Sequence, residues 1–238
     1  MTSGTRIGIL GGTFDPVHVG HVDTALAAQR ALALDRVLVM PSGTPPHRTS
    51  PPSASRFHRF AMAALAVTGL PGLMVSDLEI GVTEPCYTYD TLARLHDTGL
   101  LAAQIFFITG ADAFAEIATW SRYPQVLEMA NFVVISRPGH TAAALPSKLP
   151  ALTARMRGAT VNASTTVATK LPGLLPGLLE VLLVDAPTRD VSSTEVRRRL
   201  ESGTSIAGLV PAAVETYIAQ HGLYSRGAAA ASFGKPLA

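Results

Sequence analysis

The chain of 238 residues has room for one complete core with a small appendage. Hydrophobic residues make up 47% and charged residues 15%, which excludes a largely disordered chain. A formal net charge of +2 is too small for a nucleic-acid surface, so any phosphate binding has to come from local placement of charge. Cys86 is the single cysteine, so no intramolecular disulfide can form and a reducing, cytoplasmic setting is expected. The apolar run 7–10 is too short for a secretion signal. The longest apolar stretch, 171–186, is broken by Pro172, Pro176 and Glu180, so no membrane span is expected.

In chain order, 6–10 reads as a buried strand, followed by glycines and a helix over 21–34 with Ala and Leu at helical spacing. A strand at 36–40 stops at Pro41. A helix at 55–68, a short strand at 73–76 and a helix at 89–98 follow. Next come a strand at 104–109, tandem helices near 112–119 and 124–130 with Pro124 at a helix start, and a strand at 131–136. The last strand is 180–184, and helices at 193–201 and 211–221 close the chain. Alternation of this kind, with β-branched and continuously apolar strands, predicts an α/β fold whose parallel sheet is covered on both faces. Ligands of such sheets bind beyond the carboxyl ends of the strands. Residues 1–225 are expected to form one domain, within which 139–179, with weak periodicity, reads as a variable insertion or mobile segment. Residues 226–238 read as a flexible tail.

The stretch GGTFDPVHVGH at 11–21 follows a strand and opens a helix, yet it is neither of the common glycine-rich phosphate fingerprints. Its physics still favours phosphate. Gly11 and Gly12 let backbone amides approach a ligand, and a helix N-terminus offers unpaired N–H groups. His18 and His21 can share one face of the first turn, with Gly20 leaving room between them. Against this stands a buried glycine turn with two incidental histidines. The second stretch, DVSSTEVR at 190–197, also joins a strand to a helix. Ser192 or Ser193 can cap that helix, and Arg197, one turn in, can fold back toward an anion. An ordinary capped helix with a solvated arginine run from Arg197 to Arg199 is the bland alternative.

Together these stretches resemble the HxGH nucleotidyltransferase superfamily and, through SSTxxR, its bacterial nicotinate-mononucleotide adenylyltransferases. Related pantetheine-phosphate enzymes usually end that element with lysine. The resemblance implies a Rossmann-like, doubly wound single domain with C-terminal helices. It also implies AMP transfer from ATP to nicotinate mononucleotide, giving a dinucleotide and pyrophosphate, with Mg²⁺ held mainly by ATP phosphates and no dedicated protein metal site. His18, His21 and Arg197 are then the catalytic residues. Gly11, Gly12, Thr13, Phe14, Gly110, Asp112, Ser192, Ser193 and Thr194 would join them around ATP. PSGTPPHR at 41–48 is similar to the family's PNGxPPHK turn, departing at Ser42 and Arg48, and places Ser42, His47 and Arg48 on the mononucleotide side. CYTYDTL at 86–92 resembles SYTxDTL, which implies that backbone amides near Thr88 hold the nicotinate carboxylate. Trp120 is either core packing or, by resemblance, the ring that stacks on the pyridine. Arg137 matches the family's RPG turn, and Asp112 matches GAD, although it could simply cap a helix.

No nucleic acid, no membrane and, as an open matter, a homo-oligomer complete the expected partners. The rivals are the same chemistry on nicotinamide mononucleotide or phosphopantetheine, and a nucleotide-binding regulator without catalysis.

Overall fold

The computed structural model describes residues 5–46, 50–160 and 179–225. Seven parallel strands form one sheet in the order β3-β2-β1-β4-β5-β7-β6. The strands and helices run β1 (Ile7–Gly12), α1 (Val19–Leu32), β2 (Arg36–Pro41), α2 (Arg56–Val67), β3 (Leu73–Val75), α3 (Thr88–Asp97), β4 (Ile105–Gly110) and α4 (Ala111–Ala115). They continue with β5 (Asn131–Ile135), α5 (Leu145–Lys148), β6 (Met156–Thr160), β7 (Val181–Asp185), α6 (Ser193–Glu201) and α7 (Ala212–Gln220).

Period-2 alternation divides the strand side chains between two cores. On β4 and β5, Phe106, Ile108, Val133 and Ile135 point to the layer containing Ala28 of α1, Met62 of α2 and Val214 of α7. Ile105, Phe107, Phe132 and Val134 point the other way, to Leu92 of α3 and Phe114 of α4. Strands buried on both faces explain why they read as continuous apolar runs. The chain leaves β1 toward β2 on one side, and β4 lies on its other side, so the order in which strands are added reverses between β1 and β4 while all stay parallel. A crevice opens there beyond the carboxyl ends.

Two regions differ from the sequence expectation. The tandem helices near 112–119 and 124–130 are one short α-helix and two 3₁₀ turns, at Ile117–Thr119 and Gln125–Glu128. Arg122, at a left-handed φ of 58°, reverses the chain between the turns, and aromatic residues around it favour helices weakly. The described part of the expected insertion is ordered structure. Ala142, Leu145 and Leu152 are buried, and β6 adds an edge strand in parallel register with β7. Its sequence, MRGAT, lacks a β-branched run and carries Gly158, so no strand signal stood out. Arg155 fastens the segment by donating to the carbonyls of Leu127 at 2.8 Å and Leu179 at 3.1 Å. Residues 161–178, the rest of that segment, and the expected tail at 226–238 lie outside the described residues. Among the described residues no helix is long and apolar enough to cross a membrane.

Candidate active site

A cavity of about 490 Å³ opens at the β1/β4 reversal. Its wall includes Gly11, Gly12, Thr13 and His21 from the end of β1 and the start of α1, and Gly110, Asp112 and Arg137 from the ends of β4 and β5. Ser42, Thr88 and Trp120 line the same cavity. The sequence therefore nominated residues from six separate segments that the fold gathers around one space.

His18 is the N-cap of α1 and only 2% exposed. Its ring stacks on that of His21 with centroids 3.6 Å apart, and Phe14 meets His21 edge-on at 4.8 Å. The His18 backbone N–H donates to His21 Nδ1 at 3.2 Å. That bond makes Nδ1 an acceptor, so the neutral imidazole carries its proton on Nε2. Burial, with Arg137 nearby, pulls His18 down to about 4, and burial with His18 and Arg137 pulls His21 well below its usual value. Both rings are neutral at pH 7. Gly20 is bare because a Cβ there would lie 3.0 Å from the Arg189 carbonyl and 3.2 Å from His18 Nδ1.

The second motif meets the first. Ser192 caps α6 by accepting from the Glu195 N–H at 3.1 Å. Ser193 Oγ donates to the Pro16 carbonyl at 2.8 Å, and Arg197 donates to the Asp15 carbonyl at 2.6 Å and to Thr194 Oγ1 at 3.4 Å. The N-termini of α1 and α6 thus converge on 15–18, each with amides that no helical carbonyl uses. Ser192, Ser193, Thr194 and Arg197 stand behind this loop and not on the cavity wall itself, as do His18 and the buried Phe14 side chain. Loop 186–192 is fastened to α1 by Arg189, whose backbone N–H and guanidinium donate to Asp23 at 2.7 to 3.0 Å.

Elsewhere on the cavity wall, Thr88 occupies the first turn of α3, where backbone amides lack helical partners. Trp120 packs against Phe107 and Phe132 at 6.1 and 6.2 Å, as the core reading expects, and its remaining surface lines the cavity. Asp112 does not cap α4, since Gly110 holds that position; its carboxylate instead pairs with Arg137 at 3.3 Å. Gly110 has no room for a Cβ beside these two side chains. His47 and Arg48 lie outside the described residues.

A family model described as cytidylyltransferase-like matches residues 9–199. A Roseiflexus sp. (strain RS-1) protein named "Probable nicotinate-nucleotide adenylyltransferase" is 41% identical over 224 residues, covering 93% of this chain and 99% of that one. A Thermus thermophilus protein of the same name is 38% identical over 219 residues, covering 92% and 99%. The chain belongs to the nicotinate-nucleotide adenylyltransferase family. In fold, this family member is similar to the solved Plasmodium falciparum nicotinic acid mononucleotide adenylyltransferase complexed with NaAD. The TM-score is 0.69 at 18% identity, covering 92% of this chain and 97% of that one.

Three residues of this adenylyltransferase chain escaped the sequence reading. Asp15, 1% exposed, accepts from the Ser53 and Ala54 amides and from the Tyr224 hydroxyl at 2.8 to 3.0 Å. Glu79 lines the cavity, bonds Thr91 Oγ1 and has its carboxyl pushed up by burial. Arg59 is buried between two loops. Asp15 sat in plain view inside the first motif, but a single aspartate before proline reads as turn chemistry.

Proposed function

We propose that this chain transfers AMP from ATP to nicotinate mononucleotide, giving nicotinate adenine dinucleotide and pyrophosphate, as a cytoplasmic step of NAD biosynthesis. The observation that carries this reading is one cavity lined both by the GGTFDPVHVGH loop and by the first turn of α3 with Trp120. The first suits a polyphosphate; the second suits an aromatic ring bearing a carboxylate.

A phosphate oxygen of the mononucleotide attacks the α-phosphorus of ATP as the bond to the β-phosphate breaks, and pyrophosphate leaves with that electron pair. The nucleophile is already an anion, so no side chain has to remove a proton. What the protein supplies is alignment and stabilisation of charge. His21 presents an Nε2–H fixed by the His18 amide. His18, beneath it, holds that ring flat by stacking. Arg197 would turn from the Asp15 carbonyl to a phosphate oxygen, one strong acceptor replacing another. Arg137, close enough to depress both histidines, would meet the mononucleotide phosphate while Asp112 turns to the ATP ribose.

Among the described residues no three His, Cys, Asp or Glu side chains gather as a metal cage, and the nearby carboxylates of Asp15 and Asp112 are engaged by Ser53, Ala54 and Tyr224 and by Arg137. That donor set fits a Mg²⁺ whose ligands are phosphate oxygens and water, so no residue here is assigned to it. When bound, the ion neutralises charge on the phosphate oxygens.

The test is pyrophosphate release from ATP and Mg²⁺ with nicotinate mononucleotide, nicotinamide mononucleotide and phosphopantetheine side by side. Fastest release with the acid supports the proposal. Release only with another acceptor keeps the chemistry and replaces the substrate, and silence with all three leaves a nucleotide-binding regulator.

A further inference from the structure

Strands β1 and β2 stay paired to the Ser42 N–H, which donates to the Gly12 carbonyl at 2.9 Å. One residue further on, Thr13 enters the phosphate-side loop and Gly43 the acceptor-side loop, and neither is part of a strand. Arg59 of α2 lies across that gap, 1% exposed. Its Nη1 donates to the Thr13 carbonyl at 2.7 Å and its Nη2 to the Gly43 carbonyl at 3.1 Å. One planar fork therefore extends the β1–β2 ladder by one rung after the backbone has stopped supplying rungs.

Packing does not explain this residue. Its neighbours on the same face of α2 are Met62, Ala63 and Ala66, and an apolar side chain would fill the space without removing a cation from water. Arg59 is absent from the cavity wall and, unlike Arg197 with 17% of its side chain exposed, is sealed in with both Nη groups committed to the loops, so it acts on substrate through them. It does face both halves of the site. Its charge reaches Glu79, whose carboxylate holds Thr91 on α3, and Tyr224, whose hydroxyl donates to Asp15. The acceptor-side loop is also pressed close, since a Cβ on Gly43 would lie 2.7 Å from the Val82 carbonyl.

We propose that Arg59 is a positioning residue that sets the spacing between the ATP-side and acceptor-side loops, and thereby the alignment of the transfer. This rests on the adenylyl-transfer reading above. Each half-site keeps its own wall without Arg59, so each substrate still binds alone; the distance between the reacting atoms is what changes.

The test uses Arg59→Met and Arg59→Lys in the full chain. Binding of a non-hydrolysable ATP analogue and of nicotinate mononucleotide is measured separately by calorimetry, turnover by pyrophosphate release, and loop opening by amide hydrogen exchange. For Arg59→Met, each Kd stays within about threefold while kcat falls about 100-fold, the scale of a misplacement near 1 Å. Arg59→Lys, which keeps the charge but not the fork, recovers part of that loss. A folded Arg59→Met with wild-type kcat overturns the proposal, as does a loss carried wholly by the two Kd values. Exchange at 13–15 and 43–44 accelerates in Arg59→Met relative to the rest of β1 and β2; unchanged exchange there also overturns it. A wild-type chain silent with every acceptor refutes the adenylyl-transfer reading instead, and the exchange arm still decides whether Arg59 straps the loops. Should Arg59→Met not fold, Arg59→Lys carries the same measurements.

Discussion

His21 owes its hydrogen-bonding direction to a backbone amide. Because the His18 N–H occupies Nδ1, the ring can only donate from Nε2, and stacking on His18 restrains its tilt. Removing a preorganised donor of this kind costs about 10²–10³ in turnover. His18→Ala and His21→Ala are therefore expected to lose pyrophosphate release on that scale while circular dichroism stays native; normal turnover in both would remove them from the chemistry. A pH effect follows from the same burial. His18 goes from 6.5 in the unfolded chain to about 4 in the fold, so the fold favours its neutral form. That stability is complete above pH 6.5 and drains as pH falls toward 4, at up to about 1.4 kcal/mol per pH unit. Urea titrations at pH 7 and pH 5 should show the loss, and His18→Gln should reduce it, leaving the share of the likewise depressed His21. An unchanged slope in that variant would contradict the buried neutral imidazole. At this scale the short strings that nominated His18, His21 and Arg197 lie together in the fold, where the N-termini of α1 and α6 meet at 15–18. Arg59 was not readable: on a helix with apolar spacing an arginine reads as the solvated face, and the carbonyls that hold it belong to loops far away in sequence.

At the scale of elements, strands buried on both faces announced themselves as apolar runs, and β1, β2, β4, β5 and β7 lie where those runs are. The edge strand β6 did not, because its identity comes from pairing with β7 and from Arg157 reaching the buried Glu180, not from its own composition. The 3₁₀ turns after α4 were likewise set by the reversal at Arg122. The closing turn after α7 has a function that composition hides. Tyr224, buried and left-handed at φ 64°, donates to Asp15, and so ties the turn after α7 to the loop between β1 and α1. Burial and the neighbouring Asp15 push its phenol well above the ordinary range, so it stays a donor at any working pH. Tyr224→Phe deprives a buried carboxylate of one donor and should cost about 1–3 kcal/mol in a denaturant titration. A variant as stable as the parent would show that Asp15 is satisfied without it.

For the whole molecule, the sheet reversal between β1 and β4 is what turns separate loops into one site, and the helix N-termini converging there supply positive potential that a net charge of +2 alone would not. Substrates that bind only the folded chain should raise its stability by about 2.7 kcal/mol at 100 times Kd. A non-hydrolysable ATP analogue should therefore shift the thermal midpoint upward, and His21→Ala should shrink that shift. The most direct measurement follows the fate of the α-phosphate. ATP labelled at that position is incubated with the protein, Mg²⁺ and nicotinate mononucleotide, and the products are separated. The label is expected to move into a product with the mass of nicotinate adenine dinucleotide, matched one for one by pyrophosphate. Label recovered as free AMP or ADP, or retained in ATP, would contradict it.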